Sequence, residues 1–80
     1  MPSYHLPAPD TYRRRVVDLL RANGPLHIKE IRRHIPTIRS DNHAGSLCGG
    51  LAKWPCYLLT RTDRGTYDLN PLFREWWQDE

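Results

Sequence analysis

The chain has 80 residues, a formal net charge of +3 and 39% hydrophobic residues. That length holds at most one domain, and so short a chain buries only about 60% of its unfolded surface. The apolar fraction excludes a disordered tail, and no run of ~18 apolar residues is present to cross a membrane as a helix.

Residues 1–9 contain Pro2, Pro7 and Pro9 and read as an extended arm. The opening MPSYHLPAPD has neither a basic n-region nor an apolar h-region, so no signal peptide is expected. The expected setting is cytoplasmic, and nucleoid-associated when DNA is bound. Asp10 is placed to cap a first helix. In it Tyr12, Val16, Leu19 and Leu20 recur at helical spacing on one apolar face, while Arg13, Arg14, Arg15, Asp18 and Arg21 fill the others. Asn23-Gly24-Pro25 ends this helix, glycine or asparagine supplying a left-handed cap.

Leu26 follows in a very short extended piece. A second helix is expected over 27–34, with Ile28, Ile31 and Ile35 as its stripe and Pro36 as its stop. After a loop over 37–40, Ser40 or Asp41 can cap a third helix reaching about residue 53. Ala44, Leu47, Leu51 and Trp54 form its apolar face; Asn42, His43, Ser46, Gly49, Gly50 and Lys53 point largely elsewhere. Each of its glycines costs roughly 1 kcal/mol relative to alanine, so tertiary packing must compensate. Gly45 and Gly49, four apart, would let another backbone approach closely.

Pro55 breaks the chain. A strand over 57–61, a turn at Thr62-Asp63-Arg64-Gly65 and a return strand over 66–69 make a hairpin, with Gly65 at positive φ. Arg61 and Asp68 are candidates to pair across it. Asn70 caps a last helix and Pro71 opens it; Leu72, Phe73, Trp76 and Trp77 give it one very large apolar stripe.

Charge is unevenly spread. Residues 1–40 carry eight Arg or Lys against three Asp or Glu, whereas residues 41–80 carry four against six. Ten of the twelve cations are arginine, which suits bidentate phosphate or guanine contacts and ordinary surface ion pairs alike.

The order is helix, short strand, helix, helix, two-stranded hairpin, helix. Residues 10–69 resemble a winged helix-turn-helix domain, through LLRANGPLHIKEI, where a first helix ends in Gly-Pro before the second, and YLLTRTDRGTYDLN, a strand-turn-strand wing. The expected fold is therefore α+β, mainly α: three helices plus a two-stranded wing over 10–69, an extra C-terminal helix over 70–80, and the 1–9 arm. The resemblance implies sequence-specific binding of double-stranded DNA by a small transcriptional regulator. The third helix would enter the major groove, with Asn42, His43 and Ser46 at base edges and Lys53 at its far end. Arg39, just before that helix, would meet a phosphate. Arg61 and Arg64 at the wing tip would reach an adjacent groove or the backbone, and Lys29, Arg32 and Arg33 would meet further phosphates. Each has a plainer use: Asn42 as a helix cap, His43 as an inert surface histidine. Moreover, residues 41–69 are electrically neutral, Lys53, Arg61 and Arg64 facing Asp41, Asp63 and Asp68. Either Arg13, Arg14 and Arg15 contribute from the flank, or the domain binds something other than duplex DNA.

Other chemistries fit less well. Cys48 and Cys56 are eight apart and no Cys-x-x-Cys or His-x-x-x-His pair exists, so no metal or other cofactor is expected. The two cysteines read as reduced small core residues, with a disulfide as the minority alternative. There is no Gly-rich phosphate loop, no zinc-protease helix motif and no nucleophile with its base, so neither an enzyme nor a small-molecule substrate is expected. Glu75, Asp79 and Glu80 read as a solvated acidic end. A competing reading is a protein-interaction module docking through Trp76 and Trp77. Single-stranded nucleic acid stacked on Tyr57, Tyr67 or a tryptophan ranks lowest. Finally, Phe73, Trp76 and Trp77 are the expected interface of a homodimer. One line of the last helix would close over Val16 and Leu20. The other would face a second copy, or be covered by Tyr4 and Leu6 of the arm.

Overall fold

Thr11, rather than Asp10, caps the first helix, because its hydroxyl serves two backbone groups at once. It accepts the N–H of Arg14 at 3.2 Å and donates to the carbonyl of Ala8 at 2.8 Å. A computed structural model describes residues 4–54 and 56–78 and gives, after this cap, helix α1 (Tyr12–Asn23). Its fully buried face is Val16, Val17 and Leu20, with Tyr12 and Leu19 only half-buried, so the helix is turned toward Val17 relative to the expected stripe. Gly24 ends it at φ 82° and returns its N–H to the carbonyl of Leu20 at 2.8 Å.

The extended piece at Leu26 is a true strand. β1 (Leu26–His27) pairs antiparallel with β3 (Thr66–Leu69), Leu26 opposite Tyr67 and His27 opposite Thr66. The sheet therefore has three strands in the order β1-β3-β2 where two were expected, with β2 at Leu59–Asp63. His27 does not open the second helix but caps it: its Nδ1 accepts the N–H of Lys29 at 3.2 Å, and α2 runs Ile28–His34. Ile31 and Ile35 of its stripe are buried, as is Ile38 in the loop that follows.

Ser40 caps α3 (Asp41–Ala52), its Oγ accepting the N–H of His43 at 3.1 Å. The buried face is Ala44, Cys48 and Leu51. Trp54, expected in that face, is 77% exposed. The helix has ended before it, and the carbonyl of Lys53 accepts the N–H groups of Cys56 and Tyr57, closing a turn that turns the indole outward. The expected close approach at Gly45 and Gly49 is absent too: no neighbouring element lies within 4 Å of where their Cβ atoms would sit. The expected break at Pro55 and the acidic end at Asp79 and Glu80 lie outside the described residues.

β2 starts and ends two residues later than expected, which leaves Tyr57 outside the sheet in the left-handed region at φ 48°. The turn proper is Arg64-Gly65, and the register slips at a bulge between Arg61 and Asp63. Arg61 stands opposite Tyr67, not Asp68; Asp68 instead accepts from the Arg74 guanidinium at 2.9 Å. α4 (Pro71–Trp77) begins as expected at the Asn70 cap, whose Oδ1 accepts the N–H of Leu72. Its stripe divides. Phe73 and Trp77 stack at 5.4 Å and are buried, while Leu72 is 60% and Trp76 36% exposed. Tyr4 of the arm covers part of the second line, with its ring 5.4 Å from Phe73 and 5.8 Å from Trp76.

The result is an α+β arrangement of four helices and a three-stranded antiparallel sheet around one apolar core, with no buried polar or charged residue among those described. Among the described residues no helix is long and apolar enough to cross a membrane.

Gly65 is required twice over: it sits at φ 72°, and a Cβ there would meet the His27 ring at 2.6 Å. Gly65→Ala is expected to cost about 2 kcal/mol in urea denaturation, from left-handed backbone strain and steric conflict together. The penalty should shrink when His27 is also alanine. An equal penalty in both backgrounds would show that the imidazole does not lie over the turn.

Candidate nucleic-acid interface

An α-helix leaves its first N–H groups without intrahelical partners, and the Ser40 cap satisfies one of them in α3 while leaving Asn42, His43 and Ser46 exposed on the polar side of the helix. These three expected base-edge residues thus share an accessible surface, and Asn42 is not spent as a cap. Lys53 lies exposed at the far end. His43 is not isolated: its ring meets the Tyr12 ring edge-on at 5.6 Å. The Arg15 guanidinium in turn lies 5.8 Å from the Tyr12 ring centre. This run, Arg15–Tyr12–His43, brings the first turn of α1 beside the first turn of α3. Sequence spacing cannot show that contact, because the two turns are some thirty residues apart.

The expected phosphate contacts divide into two groups. Arg32 is committed internally: it donates to the carbonyls of Ile38 at 3.3 Å and Arg39 at 2.7 Å, and pairs with Asp41 at 2.8 Å. It is the clamp of the α2–α3 loop and not a free contact. Arg33 pairs with Glu30 at 3.0 Å on the surface. Arg14 pairs with Asp18, and both Arg14 and Arg21 lie over the Trp77 ring, at 5.5 and 4.0 Å from its centre. By contrast Arg13, Lys29, Arg39, Lys53, Arg61 and Arg64 carry no ion pair among the described residues and are exposed. Arg61 and Arg64 are exposed near the hairpin turn, but the turn does not project freely as expected: the Gly65 carbonyl accepts the N–H of Ile28 at 2.9 Å, and the His27 ring lies against Gly65.

The expected dimer residues do not stay together. Phe73 and Trp77 belong to the core, since α4 closes on α1 along that line; only Trp76 keeps exposed surface. The surface residue that sequence reasoning missed is Trp54; Tyr57, expected in a strand and named only as a low-ranked stacking candidate, is exposed beside it. The signal for Trp54 was present in Pro55 and the expected helix end, but Trp54 also fits the helical period and was assigned to the core.

Two shallow depressions flank Pro36, one lined by Lys29, Arg32 and Arg33, the other by Arg15, Asp18 and His34. Both are open to solvent. Among the described residues no three His, Cys, Asp or Glu side chains converge as a metal site. Cys48 and Cys56 are both free thiols. Burial pushes the Cys48 thiol up to about 11 from its ordinary 9.0, since an apolar surrounding disfavours the thiolate.

Set against protein-family models, curated proteins and solved structures, the chain finds no match.

This geometry has measurable outcomes. Arg32→Ala is expected to lower stability by about 1 kcal/mol in urea denaturation, because it removes charge-assisted bonds to two carbonyls and a half-exposed ion pair. Arg39→Ala, with no side-chain partner, should stay within roughly 0.5 kcal/mol of the native protein. At about pH 8 a thiol-alkylating reagent should modify Cys56 well before Cys48, read by mass spectrometry of the folded chain. The folded-state pKa of Cys48 is raised, so its contribution to stability is full below pH 9 and declines as pH rises toward 11.

Proposed function

We propose that this chain is a winged helix that binds double-stranded DNA without catalysis, as a small transcriptional regulator. In this reading α3 enters the major groove and the β2–β3 hairpin is the wing. The helix, strand, helix, helix, hairpin order supports the fold assignment. The observation that carries the function is a set of exposed cations with no ion pair among the described residues, part of it beside the exposed start of α3. Arg13 and Arg15 stand on its α1 flank through the Tyr12–His43 contact, Arg39 immediately precedes it, and Arg61 and Arg64 occupy the hairpin end. The neutral α3 then needs no charge of its own: flanking arginines neutralise phosphates, which dominates affinity, while Asn42, His43 and Ser46 meet base edges. In this reading the α1 arginines offset the neutrality of residues 41–69. Arg32 supports the site by holding the α2–α3 loop, so Arg39, Lys29 and the wing take the phosphate role instead.

The competing docking reading rested on the two C-terminal tryptophans, and the burial of Trp77 removes half of that surface.

The test is a titration against random-sequence duplex DNA at about 50 and 200 mM salt. Binding should weaken with a log–log slope of roughly 0.9 for each phosphate neutralised. Arg61→Ala combined with Arg64→Ala should weaken binding several-fold with an unchanged melting temperature. Unaltered affinity in that double variant would show that the hairpin is no contact element. Absent binding at low salt, or binding indifferent to salt, overturns the DNA reading.

A further inference from the structure

Among the described residues, the large hydrophobic side chains that stay exposed are Trp54, Tyr57, Leu72 and Trp76, at 77, 49, 60 and 36%. They fall on two segments that the fold joins. Trp54 and Tyr57 share the turn closed on the Lys53 carbonyl. The Asn70 side chain ties that turn to α4, with Nδ2 donating to the Tyr57 carbonyl at 2.9 Å and Oδ1 accepting the N–H of Leu72 at 3.1 Å. Trp76 lies one helical turn beyond Leu72. Tyr57 adopts its positive φ, a region that disfavours any side chain, and the core makes no full use of its ring. Through those bonds the four belong to two adjoining backbone segments, a band of residues at the end of the β2–β3 pairing opposite its turn.

We infer that this band is the self-association face of the chain, and that a second copy of the same chain covers it. Area is the first argument. The exposed fractions, applied to side chains of about 150–250 Å² each, leave roughly 350–550 Å² of apolar side chain in water. A standard interface takes about 800 Å² from each partner, of which roughly 65% is apolar in homodimers, so the band is the size that one such half requires. Charge is the second. Lys53 adjoins Trp54 at one end, Glu75 adjoins Trp76 at the other, and neither has an ion pair among the described residues. A two-fold axis through the middle of the band exchanges its ends. It therefore sets Lys53 opposite Glu75 of the partner subunit, and Glu75 opposite Lys53 of the partner subunit. A surface with opposite charges at its two ends is complementary to itself.

This inference does not rest on DNA binding, and its test contains no DNA. Sedimentation equilibrium of the full chain, from about 1 µM to about 1 mM, should show a concentration-dependent monomer–dimer equilibrium. Trp54→Glu and Leu72→Glu should each raise the dimer dissociation constant at least about tenfold. Lys53→Glu alone should weaken the dimer, and adding Glu75→Lys should restore it, because the exchanged charges again face each other. Thermal melting shows that each variant is folded; if a band variant does not fold, the charge-reversal pair decides. A chain that stays monomeric throughout overturns the inference. So does a dimer indifferent to these changes, or one that the double charge reversal fails to restore.

Discussion

The burial of Val16, Val17 and Leu20 on one face of α1 is the constraint on which the other elements depend. Helices α2 and α4 have seven residues each, well below the ~12–15 at which an isolated helix becomes even marginal in water. Neither has reason to exist unless docked. β1 has two residues and forms only because β3 offers it an edge. α1 is the one long amphipathic helix, and it packs on α2, α3 and β3 together. α3 matches it in length but carries three glycines with nothing packed against them, so it too is held by its buried Ala44, Cys48 and Leu51. The position of the polar face of α3 is therefore a consequence of how its other face meets α1, α2 and β2.

A second constraint is how the arginines are spent. A net charge of +3 describes the chain as a whole, yet its cations have different uses. Arg21 lies over Trp77 and also donates to its carbonyl at 3.4 Å, which ties the end of α4 to the end of α1. Such a cation over an indole is worth about 0.5–2 kcal/mol depending on desolvation. Arg74 fixes Asp68, joining α4 to the sheet, and Arg32 fixes the loop before α3. The arginines with no ion pair among the described residues belong to the first turn of α1, the loop before α3 and the end of the hairpin. A sorting of this kind turns an unremarkable net charge into a directed one, and it separates cations available to a polyanion from those that hold the fold.

Much of the local structure was legible in the residues. Ser40, Asn70 with Pro71, Gly24 and Gly65 act on backbone groups within three or four positions of themselves, so their roles need no knowledge of the rest of the chain. Where two neighbours offered the same chemistry, spacing alone did not choose: Thr11 outcompetes Asp10 because its hydroxyl also donates to Ala8. Helical period failed at Trp54 for a related reason. A period continues on paper past the helix end, but the Lys53 carbonyl takes two loop N–H groups and the chain turns away.

The sequence by itself determined the order of elements, their caps and turns, and a supply of exposed polar residues near the start of the third helix, because all of these follow from short-range hydrogen bonding and from hydrophobic period. Only the tertiary structure decided which side chains that supply can use. It drew Leu26 into the sheet, set Tyr12 against His43 across thirty residues, committed Arg32 to the loop before α3, withdrew Trp77 into the interior, and left Trp54 and Tyr57 outside. Those outcomes depend on which surfaces meet in space, and burial and ion pairing are settled by that meeting rather than by any spacing along the chain.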